Sequence, residues 1–226
     1  MKWINTKVDS EWNSKEKKYV ETDVEGYHYV GEVAQCGGGG DSFGSGELVT
    51  ISGSLEGISH VSMSVGDKVL SANITGLPDT DVASEYLLWE YTGSNPAEFT
   101  SSQITLATSS IESITTHSRA PNAEGVYKLV CENGREDDII VTGAHPFLVY
   151  SGSSQADSDG VYPGAWYFEY TEDINANMKL LSSSLEPVTI NSITSWTASN
   201  AQSQSYFRFD IEPYDVYFVE GVLVHN

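Results

Sequence analysis

Short apolar runs, separated by turn-forming residues, recur along the whole chain and predict strands in place of helices. Near the N-terminus, the alternating residues at both ends of the stretch 18–30 predict a small β-hairpin with its turn at residues 22–26. A second hairpin is predicted within residues 127–142, around the turn sequence Asn133-Gly134. Further strand-like runs follow at residues 164–167, 180–181, 188–193, 207–212, 217–219 and 222–224.

The composition agrees with this strand-rich pattern. Thirteen Tyr, seven Phe and five Trp stand among many Ser, Thr and Gly, which is typical of an all-β globular protein. Residues 73–110 are rich in Ser, Thr, Asp, Asn and Pro, and we expect loops and short strands there, without chemistry. A chain of 226 residues is long enough to bury a sizeable core.

A run of four glycines marks the predicted domain boundary. Gly37–Gly40 follow Cys36 directly, and such a run has no side chains to pack, so residues 36–41 are predicted to be a linker. The predicted organisation is an N-terminal hairpin extension or anchor at residues 1–35, this linker, and one all-β domain at residues 42–226.

Charge excludes some classes of function. The net charge is −21, and residues 19–226 carry six basic side chains against twenty-nine acidic ones, which makes nucleic-acid binding improbable. The sequence has no apolar stretch of membrane-helix length and no signal-peptide core, so no membrane association is expected. Two distant cysteines without metal-ligand spacing favour a reducing compartment and predict neither a metal nor a cofactor.

The last residues carry the most informative chemistry. An apolar strand-like run ends in His225-Asn226, which sets an imidazole beside an asparagine whose side-chain amide is able to attack its own backbone carbonyl. This pattern indicates self-cleavage of the backbone after Asn226. The sequence ends at this asparagine, so we expect cleavage without complete splicing, which requires a downstream Cys, Ser or Thr.

Three further segments occur in an order that resembles the Hint (hedgehog/intein) family. Residues 42–46 (Ser-Phe-Gly-Ser-Gly) resemble its first block, and residues 65–70 (Val-Gly-Asp-Lys-Val-Leu) continue it. Thr142-Gly143-Ala144-His145-Pro146-Phe147 resembles its TxxH block, and residues 207–219 resemble its penultimate block. The resemblance spans residues 42–226.

The resemblance implies a flat, horseshoe-shaped β-fold whose two ends meet at the centre on adjacent strands. It implies that Ser42 attacks the carbonyl of Asp41, while Thr142 and His145 orient and protonate the departing amine. Asp210 falls on the aspartate of the family and is expected to help near this first cleavage. His225 would polarise the carbonyl that Asn226 attacks, and Asp215 stands where the family has a histidine.

Two alternatives remain open. Residues 1–35 resemble N-terminal extensions of tailed-bacteriophage structural proteins, which suggests a catalytically inert Hint-fold component of a phage virion, tail- or capsid-associated. An acidic β-sandwich adhesin fits the composition but leaves the ordered motifs to chance. The expected partners are the chain's own flanking polypeptide and, through residues 1–41, other virion proteins; the expected location is the virion or the host cytoplasm.

Overall fold

The computed structural model describes most of the chain, with gaps. The described residues are 2–13, 18–29, 42–44, 47–51, 57–59, 62–80, 82–92, 95–119, 125–132, 138–152, 157–160, 162–196 and 204–226. They fall into two compact units, Met1–Gly37 and Gly38–Asn226, and each is described by itself. The predicted linker lies outside the described residues, and the three-part division stays a prediction.

The N-terminal unit is a hairpin, but its turn differs from the predicted one. Strand β1 (Lys2–Asn13) pairs with β2 (Lys18–Tyr29) in antiparallel register, from Lys2 opposite Tyr29 to Asn13 opposite Lys18. The predicted turn at residues 22–26 is therefore wrong, because this stretch lies inside β2. Pairing with β1 holds residues 18–29 in one strand, with register shifts between Asn5 and Lys7 and between Asp9 and Ser10.

The second unit is mainly β-sheet, as predicted. Its strands are β3 (Phe43–Gly44), β4 (Leu48–Thr50), β5 (Gly57–Ser59), β6 (Lys68–Ile74), β7 (Glu90–Thr92), β8 (Ile104–Arg119), β9 (Val126–Cys131), β10 (Ile139–Thr142), β11 (Pro146–Ser151), β12 (Ala165–Tyr170), β13 (Lys179–Leu181), β14 (Pro187–Ser195), β15 (Gln204–Glu212), β16 (Val216–Val219) and β17 (Val222–His225). The predicted hairpin of residues 127–142 is confirmed as the antiparallel pair β9–β10, and its turn lies outside the described residues.

Residues 73–110 differ from the prediction of loops and short strands. They contain two short helices, α1 (Ala83–Tyr86) and α2 (Pro96–Ser102), and the start of the sixteen-residue strand β8. The Asn95 side chain caps α2 by accepting a hydrogen bond from the Ala97 N–H, and Pro96 starts the helix, a signal that was readable in the sequence. Neither helix in the described ranges has the length and apolar character needed to cross a lipid bilayer.

Strand β17 closes the sheet on itself. The described strands pair in the order β5-β4-β16-β6-β8-β15-β3-β10-β9-β14-β13-β11-β12-β7, and β17 pairs with both β16 and β11. The path from β16 round to β11 is thereby joined into a ring. The sequence predicted that the two ends would meet on adjacent strands; instead β3 pairs with β10 and β15, and β17 pairs with β11 and β16.

Both faces of the last two strands are buried, in two apolar clusters. Tyr217 and Val219 pack in one cluster with Phe43 and Phe147, whereas Val216 and Phe218 pack in the other with Tyr86, Phe168 and Leu223. Successive side chains of a strand point to opposite faces, which explains this alternation. A strand without polar positions is stable only where both of its faces are covered. The chain terminus is consequently held in the interior: His225 is 0% exposed and Asn226 2%.

Candidate active site

Ser42 is held against Thr142 by two hydrogen bonds. The Ser42 N–H donates to Thr142 Oγ1 at 2.9 Å, and the Thr142 N–H donates to the Ser42 carbonyl at 3.0 Å. Both residues are buried. These bonds continue the β3–β10 pairing by one residue, so the strand geometry extends through Ser42. Within the described ranges, the Ser42 hydroxyl itself has no hydrogen-bond partner.

A tight turn carries the chain from Thr142 to His145. The His145 N–H donates to the Thr142 carbonyl at 3.1 Å, which closes a four-residue turn. Gly143 is required in it, because a Cβ there would lie 2.9 Å from Cε2 of Tyr127 and 3.0 Å from Oε2 of Glu172. The two residues that separate Thr142 from His145 in the sequence are therefore the two central residues of this turn.

His145 is fully buried beside the strand that follows Ser42. Its ring lies 4.2 Å from the ring of Phe43, centroid to centroid, and 5.8 Å from that of Phe147. Its carbonyl accepts two hydrogen bonds from Thr171, from the N–H at 3.0 Å and from Oγ1 at 2.8 Å. Thr171 is a supporting residue that the sequence did not indicate, because no motif marks it.

At the other end of the domain, a two-residue turn aims the C-terminal strand. Glu220 and Gly221 both have positive φ, at 47° and 62°, and they connect β16 to β17 with Val219 opposite Val222. Glu220 is held in this conformation by Leu48, since its N–H donates to the Leu48 carbonyl at 2.7 Å and its carboxylate accepts from the Leu48 N–H. The hairpin therefore fixes where His225 and Asn226 lie.

His225 contacts the carbonyl that self-cleavage would attack. Its Nδ1 lies 3.0 Å from the backbone oxygen of Asn226, which is the carbonyl oxygen of the scissile bond in any longer chain. A carbonyl oxygen only accepts, so Nδ1 carries the proton and donates it. The polarising role of His225 stays a prediction, and this contact is the one that it requires.

Burial keeps this imidazole neutral. Burial lowers the pKa of His225 from 6.5 to about 4; the hydrogen bond with Asn226 opposes the change, and the positive charge of Arg208 acts in the same direction as burial. At neutral pH the ring is therefore an uncharged donor. Nε2 is then unprotonated, and it has no hydrogen-bond partner among the residues that the structure describes.

The side-chain amide of Asn226 has two alternative orientations. In one, Nδ2 donates to Asp210 Oδ1 at 3.3 Å. In the other, Nδ2 donates to the Asp215 carbonyl at 2.6 Å and Oδ1 accepts from the Ile211 N–H at 3.3 Å. We favour the second at rest, because the first leaves the amide oxygen facing the Asp215 carbonyl oxygen. The Asn226 N–H also donates to the Asp215 carbonyl, at 2.8 Å.

Asp210 and Asp215 are both placed at the C-terminal end of the site. The Asp210 carboxylate accepts from Ser113 Oγ at 3.3 Å and approaches the Asn226 amide, whereas the sequence assigned it to the first cleavage beside Ser42. Asp215, in the position of the family's histidine, contacts Asn226 through its backbone carbonyl. The role of Asp210 near the first cleavage stays a prediction, and the contact that the structure shows is with the Asn226 amide.

The strand that follows His145 pairs with the strand that ends at His225. Phe147 pairs with Val224, and the same register continued by two residues sets His145 opposite Asn226. The β11–β12 and β16–β17 pairings each extend to these residues. The Thr171 N–H donates to the His145 carbonyl, and the Asn226 N–H donates to the Asp215 carbonyl. His145 also packs on Phe43, the residue after Ser42.

Strand β15 pairs with β3 and carries Asp210. Phe207 pairs with Phe43 and Tyr206 with Gly44, so the register continued by one residue sets Arg208 opposite Ser42. Asp210, which contacts Asn226, lies two residues further along, a distance of about 7 Å. Arg208 also lies close enough to His225 to affect its pKa. Arg208 was not identified as a site residue from the sequence, although it is one of few basic residues in an acidic domain and lies two residues before Asp210.

One group of carboxylates is close enough to approach a shared cation. Among the described residues, oxygen atoms of Asp79, Glu212 and Asp215 lie within 4.8 Å of one another. Asp79 and Glu212 are exposed, and exposed acidic groups of this kind are common without an ion. We assign no metal to them.

Comparison with solved structures places the fold. No protein-family model and no curated protein sequence matches the chain. An intein-like domain from the bacterium Clostridium thermocellum matches over 82% of this chain and 98% of its own, with a TM-score of 0.50 and 19% identity. The fold is the intein-like Hint fold. At this identity, the likeness extends to the fold alone.

Two inteins are also similar, at lower scores. A DnaB intein from Synechocystis matches over 82% of this chain and 98% of its own, with a TM-score of 0.47 and 14% identity. The gp41-1 intein matches over 83% of this chain and 99% of its own, with a TM-score of 0.48 and 13% identity.

Proposed function

We propose that the Hint-fold domain cleaves its own backbone after Asn226 by cyclisation of the asparagine side chain. The observation that carries this proposal is the hydrogen bond from His225 Nδ1 to the Asn226 carbonyl oxygen at 3.0 Å, in an interior that excludes water. A donor already aimed at the oxygen where negative charge develops needs no rearrangement during the reaction.

The reaction is an intramolecular acyl transfer. Asn226 Nδ2 attacks the carbonyl carbon of the same residue, a carbon–nitrogen bond forms, and the peptide bond to the following residue breaks. Nδ2 loses one proton, and the departing amine gains one. The upstream product ends in a succinimide, and the downstream product starts with a free amine.

The contacts of Asn226 supply the groups that this reaction needs. Rotation of the amide between its two orientations moves Nδ2 from the Asp215 carbonyl to Asp210 Oδ1, and this carboxylate is then the nearest acceptor for the proton that Nδ2 loses. The neutral His225 ring stabilises the oxyanion by hydrogen bonding. Because the fold already holds the reacting groups in one geometry, the reaction step does not include the entropy cost of bringing them together.

At the N-terminal end, we propose a slower acyl shift from the Asp41–Ser42 amide nitrogen to Ser42 Oγ. Thr142 fixes the Ser42 backbone and His145 lies beside it. Serine is a weak nucleophile unless a base activates it, and its hydroxyl makes no hydrogen bond within the described residues. Asp41 lies outside those residues. We therefore expect cleavage at Asn226 to dominate.

The alternative is a catalytically inert Hint-fold component of a phage virion, with residues 1–41 binding other virion proteins. An inert scaffold would leave the contacts of Asn226 and His225 without a role. It predicts that a chain extended beyond Asn226 stays intact.

The test is a chain extended beyond Asn226 by a small reporter protein, incubated after purification and followed on denaturing gels. We expect release of the reporter from the wild-type sequence and no release from Asn226→Ala. The matched control is Asn191→Ala, an exposed asparagine on β14, which should release the reporter at the wild-type rate. An uncleaved wild type would support the inert scaffold, and cleavage in Asn226→Ala would exclude cyclisation of this residue.

A further inference from the structure

The imidazole of His225 is enclosed by two aromatic side chains. The ring of Tyr86, at the end of α1, stacks on it with centroids 3.8 Å apart and planes at 22°. Phe168 of β12 meets it edge-on, with centroids 5.4 Å apart and planes at 87°. Tyr86 is 4% exposed and packs edge-on against Phe168 as well. The three rings form one buried cluster.

This cluster restricts the plane of the His225 ring, and the hydrogen bond at Nδ1 selects the ring edge that faces Asn226. Nδ1 makes a hydrogen bond with the Asn226 carbonyl oxygen, but within the described residues no second bond holds the ring through Nε2. In many sites a hydrogen bond at the second nitrogen fixes the imidazole and its tautomer. Here a flat stacking surface is what prevents rotation of the ring, since a stack at 3.8 Å leaves no room for the ring to tilt.

We propose that Tyr86 is a positioning residue for cleavage at Asn226, because its ring holds the His225 imidazole with Nδ1–H on the scissile carbonyl. This inference rests on the proposed function and adds a residue to it. Tyr86 lies in the region between β6 and β8, where the sequence predicted no chemistry. It acts through His225 and touches no reacting atom.

The same stack shields the imidazole from water and so sets the pH at which it is protonated. Among the described residues, the titratable or charged groups that affect the ring or contact the adjacent Asn226 are Tyr86 from α1, Arg208 and Asp210 from β15, and Asp215 just before β16, which contacts Asn226 through its backbone carbonyl. Removal of the Tyr86 ring admits water and leaves the charges in place. The pKa of His225 should then rise toward its ordinary value near 6.5.

The first experiment measures the ring itself and does not require cleavage. Nitrogen-15 NMR of the chain 1–226 reports the tautomer and the titration midpoint of His225. We expect the Nδ1–H tautomer and a midpoint near 4 in the wild type and in Tyr86→Phe, which keeps the stack. In Tyr86→Leu we expect a mixture of tautomers and a midpoint higher by about one unit or more. Tyr86→Met, which fills more of the volume, replaces Tyr86→Leu should the leucine variant fail to fold.

The second experiment measures the cleavage rate in the chain extended beyond Asn226. Tyr86→Leu should cleave at least about tenfold more slowly, and Tyr86→Phe within about threefold of the wild type. The control is Tyr91→Leu, which removes an aromatic contact of the same region, with Phe99, and should leave the His225 midpoint unchanged.

The inference is overturned if folded Tyr86→Leu or Tyr86→Met keeps the wild-type tautomer, midpoint and cleavage rate, or if Tyr91→Leu shifts the midpoint equally. An uncleaved wild-type chain would instead remove the proposed function. The NMR titration would still decide whether Tyr86 holds the ring.

Discussion

Both ends of the Hint-fold domain are buried, but their polar groups are hydrogen-bonded to different degrees. At Asn226 the backbone N–H, the side-chain amide and the carbonyl oxygen each have a hydrogen-bond partner, and the carbonyl faces a donor at 3.0 Å. At Ser42 the backbone is fixed by Thr142, whereas the hydroxyl makes no hydrogen bond within the described part of the chain.

This difference shows that positioning a backbone and activating a nucleophile are separate requirements. Strand pairing alone is enough to place Ser42, because β3 lies between β10 and β15. Activation needs a base or a donor aimed at a particular atom, and the structure provides that at Asn226. The two ends of one fold therefore differ in how completely their polar groups are hydrogen-bonded.

The largest expected effect is on the rate of cleavage after Asn226, and it comes from substitution of His225. His225→Leu keeps an apolar side chain against Tyr86 and removes the donor to the Asn226 carbonyl. We expect cleavage after Asn226 to slow by about 10²- to 10³-fold, the usual cost of losing one oxyanion donor. The rate is measured by densitometry of released reporter. A variant within threefold of the wild type would mean that the contact is not catalytic.

The second effect concerns stability in acid. Because the pKa of His225 is near 4 when folded and near 6.5 when unfolded, the unfolded chain binds more protons between these values. The free energy of unfolding should therefore rise with pH across this window, with a contribution of about 1.4 kcal/mol per pH unit from His225.

Denaturant unfolding at several pH values tests this. The stability of the wild type relative to His225→Leu should fall as the pH falls from 6.5 toward 4, and stay constant above this window. Parallel pH curves for the two proteins would show that burial does not depress the pKa of His225.

The third effect is confined to the N-terminal end. Thr142→Val keeps the shape of a buried side chain and leaves the Ser42 N–H without its acceptor. We expect a loss of about 1 to 3 kcal/mol of unfolding free energy, the cost of an unpaired buried donor. Thr105→Val, at an exposed position on β8, is the control and should change stability by less than about 0.5 kcal/mol. Equal effects of the two variants would refute the assigned role of Thr142.

The smallest expected effect is that of removing the Asp210 carboxylate, and it tests at which end of the domain this residue acts. Asp210→Asn removes a carboxylate that approaches the Asn226 amide, and cleavage after Asn226 should slow by about tenfold, the value of one charged hydrogen bond. Ser113→Ala removes only the other partner of Asp210 and should have a smaller effect. A loss confined to cleavage at Asp41–Ser42 would restore the assignment made from the sequence.

The local geometry of four candidate residues follows from short segments of sequence. Thr142, His145, His225 and Asn226 were chosen with the help of a resemblance to Hint-family motifs, and they lie at a tight turn and at a strand end. Their catalytic roles stay predictions. The all-β fold was predictable too, because alternating and continuous apolar runs identify strands. The pairing of β17 with both β16 and β11 was not, since register between distant strands leaves no local signal.

The missed residues act through long-range contacts. Tyr86 reaches His225 from a region whose composition indicates loops, and Asp210 reaches Asn226 from β15, a strand that also pairs with β3. The predicted N-terminal turn failed for a related reason. Residues 18–29 form one strand because β1, a partner of equal length, pairs with it from end to end, apart from two register shifts.

The central claim is that Asn226 cuts the chain by attacking its own carbonyl, and the mass of the upstream fragment tests it most directly. Intact-mass measurement of the fragment released from an extended chain should give a mass one water lighter than a fragment ending in free asparagine, which is the signature of a succinimide. Two results would contradict the account. One is an upstream fragment with the mass of simple hydrolysis from the first time point, and the other is release of an upstream fragment from Asn226→Ala.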